Sequence, residues 1–396
     1  MRCLKALPVI VCGISYLCAN LVDCFMVQVH RKLDSPVHLV GLTKDGAKWY
    51  LRRCFMRIVH TVDQEWVSQV TEPAIEPDLP IIDPHHHFWV REDDAQTYIL
   101  KDLISDFGGH NIRQTVFIEC NSMYRADGPT HLAPVGETEF VQGIAAQSAS
   151  GQFGDVRAAA GIVGFADLTL GDRVVEVLES HLQASEKRFR GIRHQASWDP
   201  SDQVPNSRID PPPGLFLSKE FRSGFQYLSK YNLSFEGWFY HPQIDELTDL
   251  AREFDDTTII LNHLGGPLGI GPYANNRSEV FETWRSSVAR LAERSNVFAK
   301  VGGIQMPLNG YGWHEQELPP TSDQLLEKTR DWYLTIIDLF GPERCMFESN
   351  FPVDKASCSY SVLWNHFKKL SSSFSPSDKA SLFHDTALNV YRLEAR

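Results

Sequence analysis

Leu79-Pro80-Ile81-Ile82-Asp83-Pro84-His85-His86-His87-Phe88-Trp89 is a short apolar run that passes into three consecutive histidines. A doubly wound α/β sheet announces itself by a glycine-rich turn after its first strand, and none follows here. Further β-rich runs lie at 114–120, 158–165, 189–193, 233–238, 257–262, 297–301 and 345–348, which with 79–83 makes eight candidate strands. Several are continuous apolar runs, such as Ile259-Ile260-Leu261, as expected of parallel strands buried on both faces. Amphipathic stretches lie between them. In 172–184, Val174, Val177, Leu178 and Leu182 recur at helical spacing, and 242–254, 278–295 and 323–340 read the same way. Ser375-Pro376-Ser377-Asp378 supplies an N-cap, a first-turn proline and an early acid for a helix predicted to reach about 393. Eight strands alternating with helices over ~320 residues imply a (β/α)8 TIM barrel. The segment 199–214, with five prolines, reads as a long loop after the fourth strand.

The 396 residues carry a net charge of −12, which argues against nucleic-acid binding. The charge is uneven: residues 1–65 are net +4 and the remainder is net −16. Five of the eight cysteines fall in the first 54 residues, and the three others are too scattered for a disulfide framework. The body therefore reads as a cytoplasmic protein. Residues 1–63 read as an N-terminal extension preceding a barrel domain at 64–396. Within the extension, the apolar run 6–22 after a basic start fits a signal or a membrane anchor, or else a non-functional appendage. Membrane association is expected only if 6–22 acts as an anchor.

Barrels of this kind work at the C-terminal ends of their strands. At the first strand end, alternation puts His85 and His87 on one face, where two imidazoles can converge on one ion, while His86 points elsewhere. Adjacent histidines in a solvated loop are the plainer reading. His263 ends the sixth strand before Gly265-Gly266-Pro267, and three neutral imidazoles would make a histidine-rich zinc site. Glu348 and Asn350 share a face at the eighth strand end, with Asp354 expected further out. Glu119 is a costly carboxylate after an apolar strand, functional or in an internal salt bridge. Arg193 suits a carboxylate or lactone substrate, or pairs with Glu119. His241 lines the site or caps the next helix. Lys300 and Gly302-Gly303 are expected to shape the rim, and Cys120 and Cys345 to lie in the core.

Taken together, Asp83-Pro84-His85-His86-His87-Phe88-Trp89, Gly191-Ile192-Arg193-His194, Tyr240-His241-Pro242-Gln243, Asn262-His263-Leu264-Gly265-Gly266-Pro267, Met346-Phe347-Glu348-Ser349-Asn350-Phe351-Pro352 and Val390-Tyr391-Arg392-Leu393 resemble the amidohydrolase-related (amidohydrolase 2) family, in its TIM-barrel metal-dependent hydrolase and lactonase branch. The resemblance covers about 64–396 and implies a distorted barrel. It implies metal-ligating or carbonyl-polarising roles for His85, His87 and His263, and a divalent metal, zinc or manganese. It departs from the family at Asn350, where an Asp is usual; an amide orients water but is no general base near neutral pH. Glu348, Glu119 or His241 would then accept the proton. The implied activity is opening of a small lactone or related carbonyl ester. A metal-dependent non-oxidative decarboxylase and a catalytically silent scaffold are the alternatives. The expected partner is a small carbonyl or carboxylate compound, with a homo-oligomer also open.

Overall fold

The computed structural model describes residues 62–90 and 97–395. The N-terminal extension up to residue 61, with its apolar run 6–22, lies outside the described residues. Eight parallel strands follow one another around a single sheet in chain order: β1 (Ile81–His86), β2 (Ile112–Ile118), β3 (Arg157–Gly164), β4 (Phe189–Gln195), β5 (Ser234–Trp238), β6 (Ile259–Leu261), β7 (Val297–Gly302) and β8 (Cys345–Glu348). Helices pack outside them, so the architecture is the expected (β/α)8 barrel. Each apolar strand serves two cores by alternation. Ile260 points inward, with Ile82, Val116, Ile118, Val163 and Met346. Its neighbours Ile259 and Leu261 point outward to the helices, whose Leu178, Leu250, Trp284 and Ile336 complete that layer.

The seam between β8 and β1 is made differently from the other seven. Pro84 brings no N–H, and the β1–β2 register shifts between Asp83 and His86. The seam closes one step higher, through His87 N–H to Phe351 O (2.8 Å) and Asn350 N–H to His85 O (2.9 Å). Asp83 clamps it from below: its carboxylate accepts from Ser349 N–H (3.0 Å), Ser349 Oγ–H (2.6 Å) and Tyr360 O–H (3.0 Å). The distortion thus falls at the height of the histidines, and β1 runs through His86 instead of stopping at Asp83.

The four helices read from periodicity are present as Val174–Ala184, Ile244–Glu253, Arg277–Ala292 and Ser322–Phe340. The last is closed by a reciprocal cap between Thr321 and Gln324. Val135–Ala149 and Tyr360–Leu370 carry no expectation from sequence. Val135–Ala149 is rich in small residues and buries Gly136, Glu137 and Thr138 beside its apolar positions, so it shows no clean stripe. The predicted C-terminal helix is interrupted: Pro376–Ala380 and Thr386–Val390 flank a wider π-type turn at Ser381–Asp385. Beyond it, Val390, Tyr391 and Leu393 enter the barrel from its N-terminal end and join the inner core. No helix among the described residues is long and apolar enough to cross a membrane.

Candidate active site

Burial of polar groups inside an apolar barrel demands partners, and the C-terminal mouth is where they accumulate. His85, His263 and Glu348, from β1, the turn after β6 and β8, are all fully or almost fully buried. His263 Nδ1 lies 2.8 Å from Glu348 Oε1, and His85 Nδ1 lies 2.7 Å from Glu348 Oε2. One carboxylate therefore faces two imidazoles: Oε1 is hydrogen-bonded to His263, and Oε2 lies against His85 with no hydrogen-bond partner of its own among the described residues. Burial drives both histidines well below their ordinary pKa, with the cations Lys300 and Arg193 adding to it, so both rings are neutral at neutral pH. Burial pushes Glu348 the other way, up to about 8, against the pull of Lys300. The segment that presents His263 is unusual: His263 (φ 51°) and Leu264 (φ 54°) are both left-handed without being glycine. Trp284 Nε1–H donates to Leu264 O (2.6 Å) and pins this turn to a barrel helix.

Lys300 does not shape the rim. It is fully buried beneath the histidines, with Nζ 2.7 Å from Glu236 Oε2 and 3.2 Å from His85 Nδ1. Glu236 accepts in addition from Asn262 Nδ2 (2.8 Å) and from Tyr391 O–H (2.6 Å). A polar column thus runs down the barrel axis from His263 to the C-terminal tyrosine. Lys300 sits mid-strand between Ala299 and Val301, which point outward. That parity placed it inside, and it is the signal that could have found it.

His87 stands beside this cluster. Its Nδ1 donates to Ile118 O (2.8 Å), which leaves Nε2 without a proton, facing Asn350 Oδ1 at 3.3 Å. Asn350 is held in that orientation because its Nδ2 donates to Asp354 Oδ1 (2.9 Å). Two acceptors therefore face one another at the cleft floor. Asp354 lies further out on the loop after β8, as expected from sequence, behind Asn350 and not among the cleft-lining residues. It is fully buried, accepts from Gln305 N–H (3.2 Å), and its carboxyl is pushed up to about 8 by burial. His86 points away from the cleft, as alternation predicts, with Nε2 2.7 Å from Thr115 Oγ1 and its ring against Phe88.

One wall of the cleft is a braced guanidinium. Arg193 Nε donates to Glu119 Oε1 (2.7 Å), Nη2 donates to the Glu119 carbonyl, and Nη1 lies 3.4 Å from His85 Nε2. Gln195 Nε2 also donates to Glu119 Oε1 (2.9 Å). Glu119 is thus the internal partner of Arg193. The facing wall is apolar, with Trp89, Trp238 and Met306, and the cleft has a volume of about 70 Å³. His241 is not among its lining residues. It lies in the turn that opens the helix after β5, where its Nδ1 accepts from Leu268 N–H (3.3 Å), and burial lowers it to about 4. Cys120 lies at the cleft edge, and Cys345 is fully buried; burial pushes both thiols up, which makes them poor nucleophiles.

The ligand atoms of His85, His263 and Glu348 all lie within 4.8 Å of one another. Two neutral imidazoles and a carboxylate at that spacing fit a divalent ion by donor type and by distance. His87, expected as a ligand from sequence, is not one of the three. The third member of the group is Glu348.

The amidohydrolase family profile matches residues 82–393. An uncharacterized protein, y4mH, of Sinorhizobium fredii is 32% identical over 338 residues, spanning 80% of this chain and 99% of its own. The L-fucono-1,5-lactonase of Burkholderia multivorans is 23% identical over 235 residues, 59% of this chain and 72% of its own. Two crystal structures of an amidohydrolase from Burkholderia multivorans, one with bound HEPES and one with bound zinc, superpose with TM-scores of 0.62 and 0.61. They are 20% and 21% identical to this chain, and each covers 79% of it and 99% of its own length. With the eight-stranded barrel and the histidine-lined mouth in place, the match over most of the chain makes this protein a member of the amidohydrolase family.

Proposed function

We propose that this chain hydrolyses a small lactone or related ester carbonyl at the barrel mouth. The observation that carries the reading is the buried His263–Glu348 pair at the floor of a cleft lined by a second neutral imidazole, His87. The similarity to a sugar lactonase supports the choice of carbonyl. His263, unprotonated at neutral pH, accepts a proton from water as the water adds to the carbonyl. Glu348 holds the ring by Nδ1 and, in the ionised form that predominates above its raised value of about 8, balances the charge that forms on it. His87 Nε2 and Asn350 Oδ1 both accept, so either can take the water proton that does not pass to His263 and thereby orient the nucleophile; Asn350 does in this way what an amide can do. Arg193, fixed by Glu119, faces the carbonyl oxygen or an anionic substituent with a donor that needs no reorganisation. His85, His263 and Glu348 would hold a divalent metal, zinc or manganese, in place of the His263–Glu348 proton pair, and the metal would then supply Lewis-acid polarisation and acidify water.

The test is a panel of γ- and δ-aldonolactones followed by acid release in a weakly buffered indicator assay. It is run on protein as purified, after chelation, and with zinc or manganese restored, alongside elemental analysis. Ring opening of at least one lactone is expected. No turnover of any lactone under all three conditions defeats the reading, and carbon dioxide release from a carboxylated aromatic in its place would assign the site to decarboxylation.

A further inference from the structure

A second guanidinium reaches the cleft from an unexpected direction. Arg208 belongs to the proline-rich loop 199–214, and it lines the same cleft as Arg193, His87 and His263. It is exposed, so nothing about the fold requires a cation there. Among the described residues no carboxylate pairs with it: its one hydrogen bond is Nη1–H to Cys120 O, at 3.0 Å. Arg193, by contrast, is neutralised by Glu119 at 2.7 Å. Among the described residues the mouth therefore keeps one uncompensated positive charge, in a chain whose net charge is −12.

The loop that carries Arg208 is tied down along the stretch that leads into it. Tyr240 O–H donates to Pro205 O, Ser207 N–H donates to Ser197 O (3.0 Å), and Tyr273 O–H donates to Asp199 Oδ2 (2.8 Å). Val204 is buried beneath it. A long charged side chain on an anchored loop, fixed by one arm to a backbone carbonyl, keeps its remaining N–H donors available at a defined place. That geometry suits a planar anion, which a guanidinium grips with parallel hydrogen bonds.

We infer that the substrate carries a carboxylate on the side away from its reacting carbonyl, and that Arg208 is the residue that selects it. The inference rests on the lactone-hydrolase reading of the cleft and narrows it from neutral sugar lactones to acidic ones. Arg208 acts on binding, not on bond making, so its removal should raise KM for the acidic substrate more than it lowers kcat.

A matched pair of lactones tests this: γ-butyrolactone bearing a γ-carboxylate, and its γ-hydroxymethyl analogue. The wild-type protein is expected to favour the carboxylate in kcat/KM. In Arg208→Gln the ratio between the two substrates should fall by about 30-fold, the scale of one lost charge-assisted contact, mainly through KM. Arg208→Lys, which keeps the charge and loses the fork, should fall between. A ratio unchanged in Arg208→Gln, or a wild-type preference for the hydroxymethyl lactone, overturns the proposal while leaving lactone hydrolysis standing. Calorimetric titration with 2-hydroxyglutarate, the diacid that opening of the acidic lactone yields, separates the two readings. Binding lost in Arg208→Gln upholds the anion site even where neither lactone is turned over, and absence of binding to the wild type overturns it.

Discussion

Glu348 and Asn350 stand two positions apart at the end of one strand and have unlike tasks. Glu348 bonds His263 and lies against His85, while Asn350 turns its oxygen to the cleft because Asp354 takes its nitrogen. Glu348→Gln keeps the shape and removes the ionisable group that supports His263, so kcat/KM on a lactone substrate should fall by about 100-fold or more in steady-state assays above about pH 8, where Glu348 is ionised. Asp354 gives a pH signature. Its ordinary carboxyl value is 3.8, and burial raises it to about 8, so the folded protein keeps a proton that the unfolded chain has released. This carboxyl's contribution to stability therefore declines as pH rises between those values. Asp354→Asn lacks that decline. Its melting temperature should lie below the wild type's at about pH 5, because one amide cannot replace both acceptors, and the gap should narrow by about pH 8. A gap that is constant across this range counts against the burial argument. His263 and Arg193 were legible as strand-end residues from sequence. The burial of Asp354 was not, because the chain that buries it, including Gln305, comes from a different loop.

At the scale of elements, the β1–β8 seam and the β7 turn hold the site in place. Asp83→Ala would leave Ser349 N–H, Ser349 Oγ–H and Tyr360 O–H without their acceptor in a fully buried position, at a cost of about 3 kcal/mol or more in urea unfolding. Gly303 follows β7 with φ 69°, and a Cβ there would collide with the His263 ring. Gly303→Ala should therefore lower kcat/KM by about 100-fold while far-UV circular dichroism stays native, because the loss is one of alignment. A variant with full activity would show that the ring has room to move. Strand identities were readable because each apolar run is local. The helix Val135–Ala149 was not, because small residues let it pack without an apolar stripe.

Across the whole molecule, the C-terminal segment completes what the first strand begins. Tyr391 closes the bottom of the barrel, and its hydroxyl reaches Glu236, which holds Lys300 beneath His85. Tyr391→Phe preserves the packing and removes one donor from a buried carboxylate, so it should destabilise the fold by about 1–3 kcal/mol in chemical denaturation. A smaller effect would mean that water reaches Glu236.

The sequence by itself determined the alternation of strands and helices, the barrel class, and the strand ends at which His85, His87, Arg193, His263 and Glu348 stand. These follow from periods of two and 3.6, which are properties of a local segment. Only the tertiary structure decided that Glu348, and not His87, completes the trio with His85 and His263, that Lys300 lies below them, and that Arg208 reaches the same cleft. Periodicity tells which residues of one strand share a face. Which faces meet across a barrel depends on the register between strands, and here that register is reset by a proline in the first strand and closed by hydrogen bonds more than 260 residues apart in the chain.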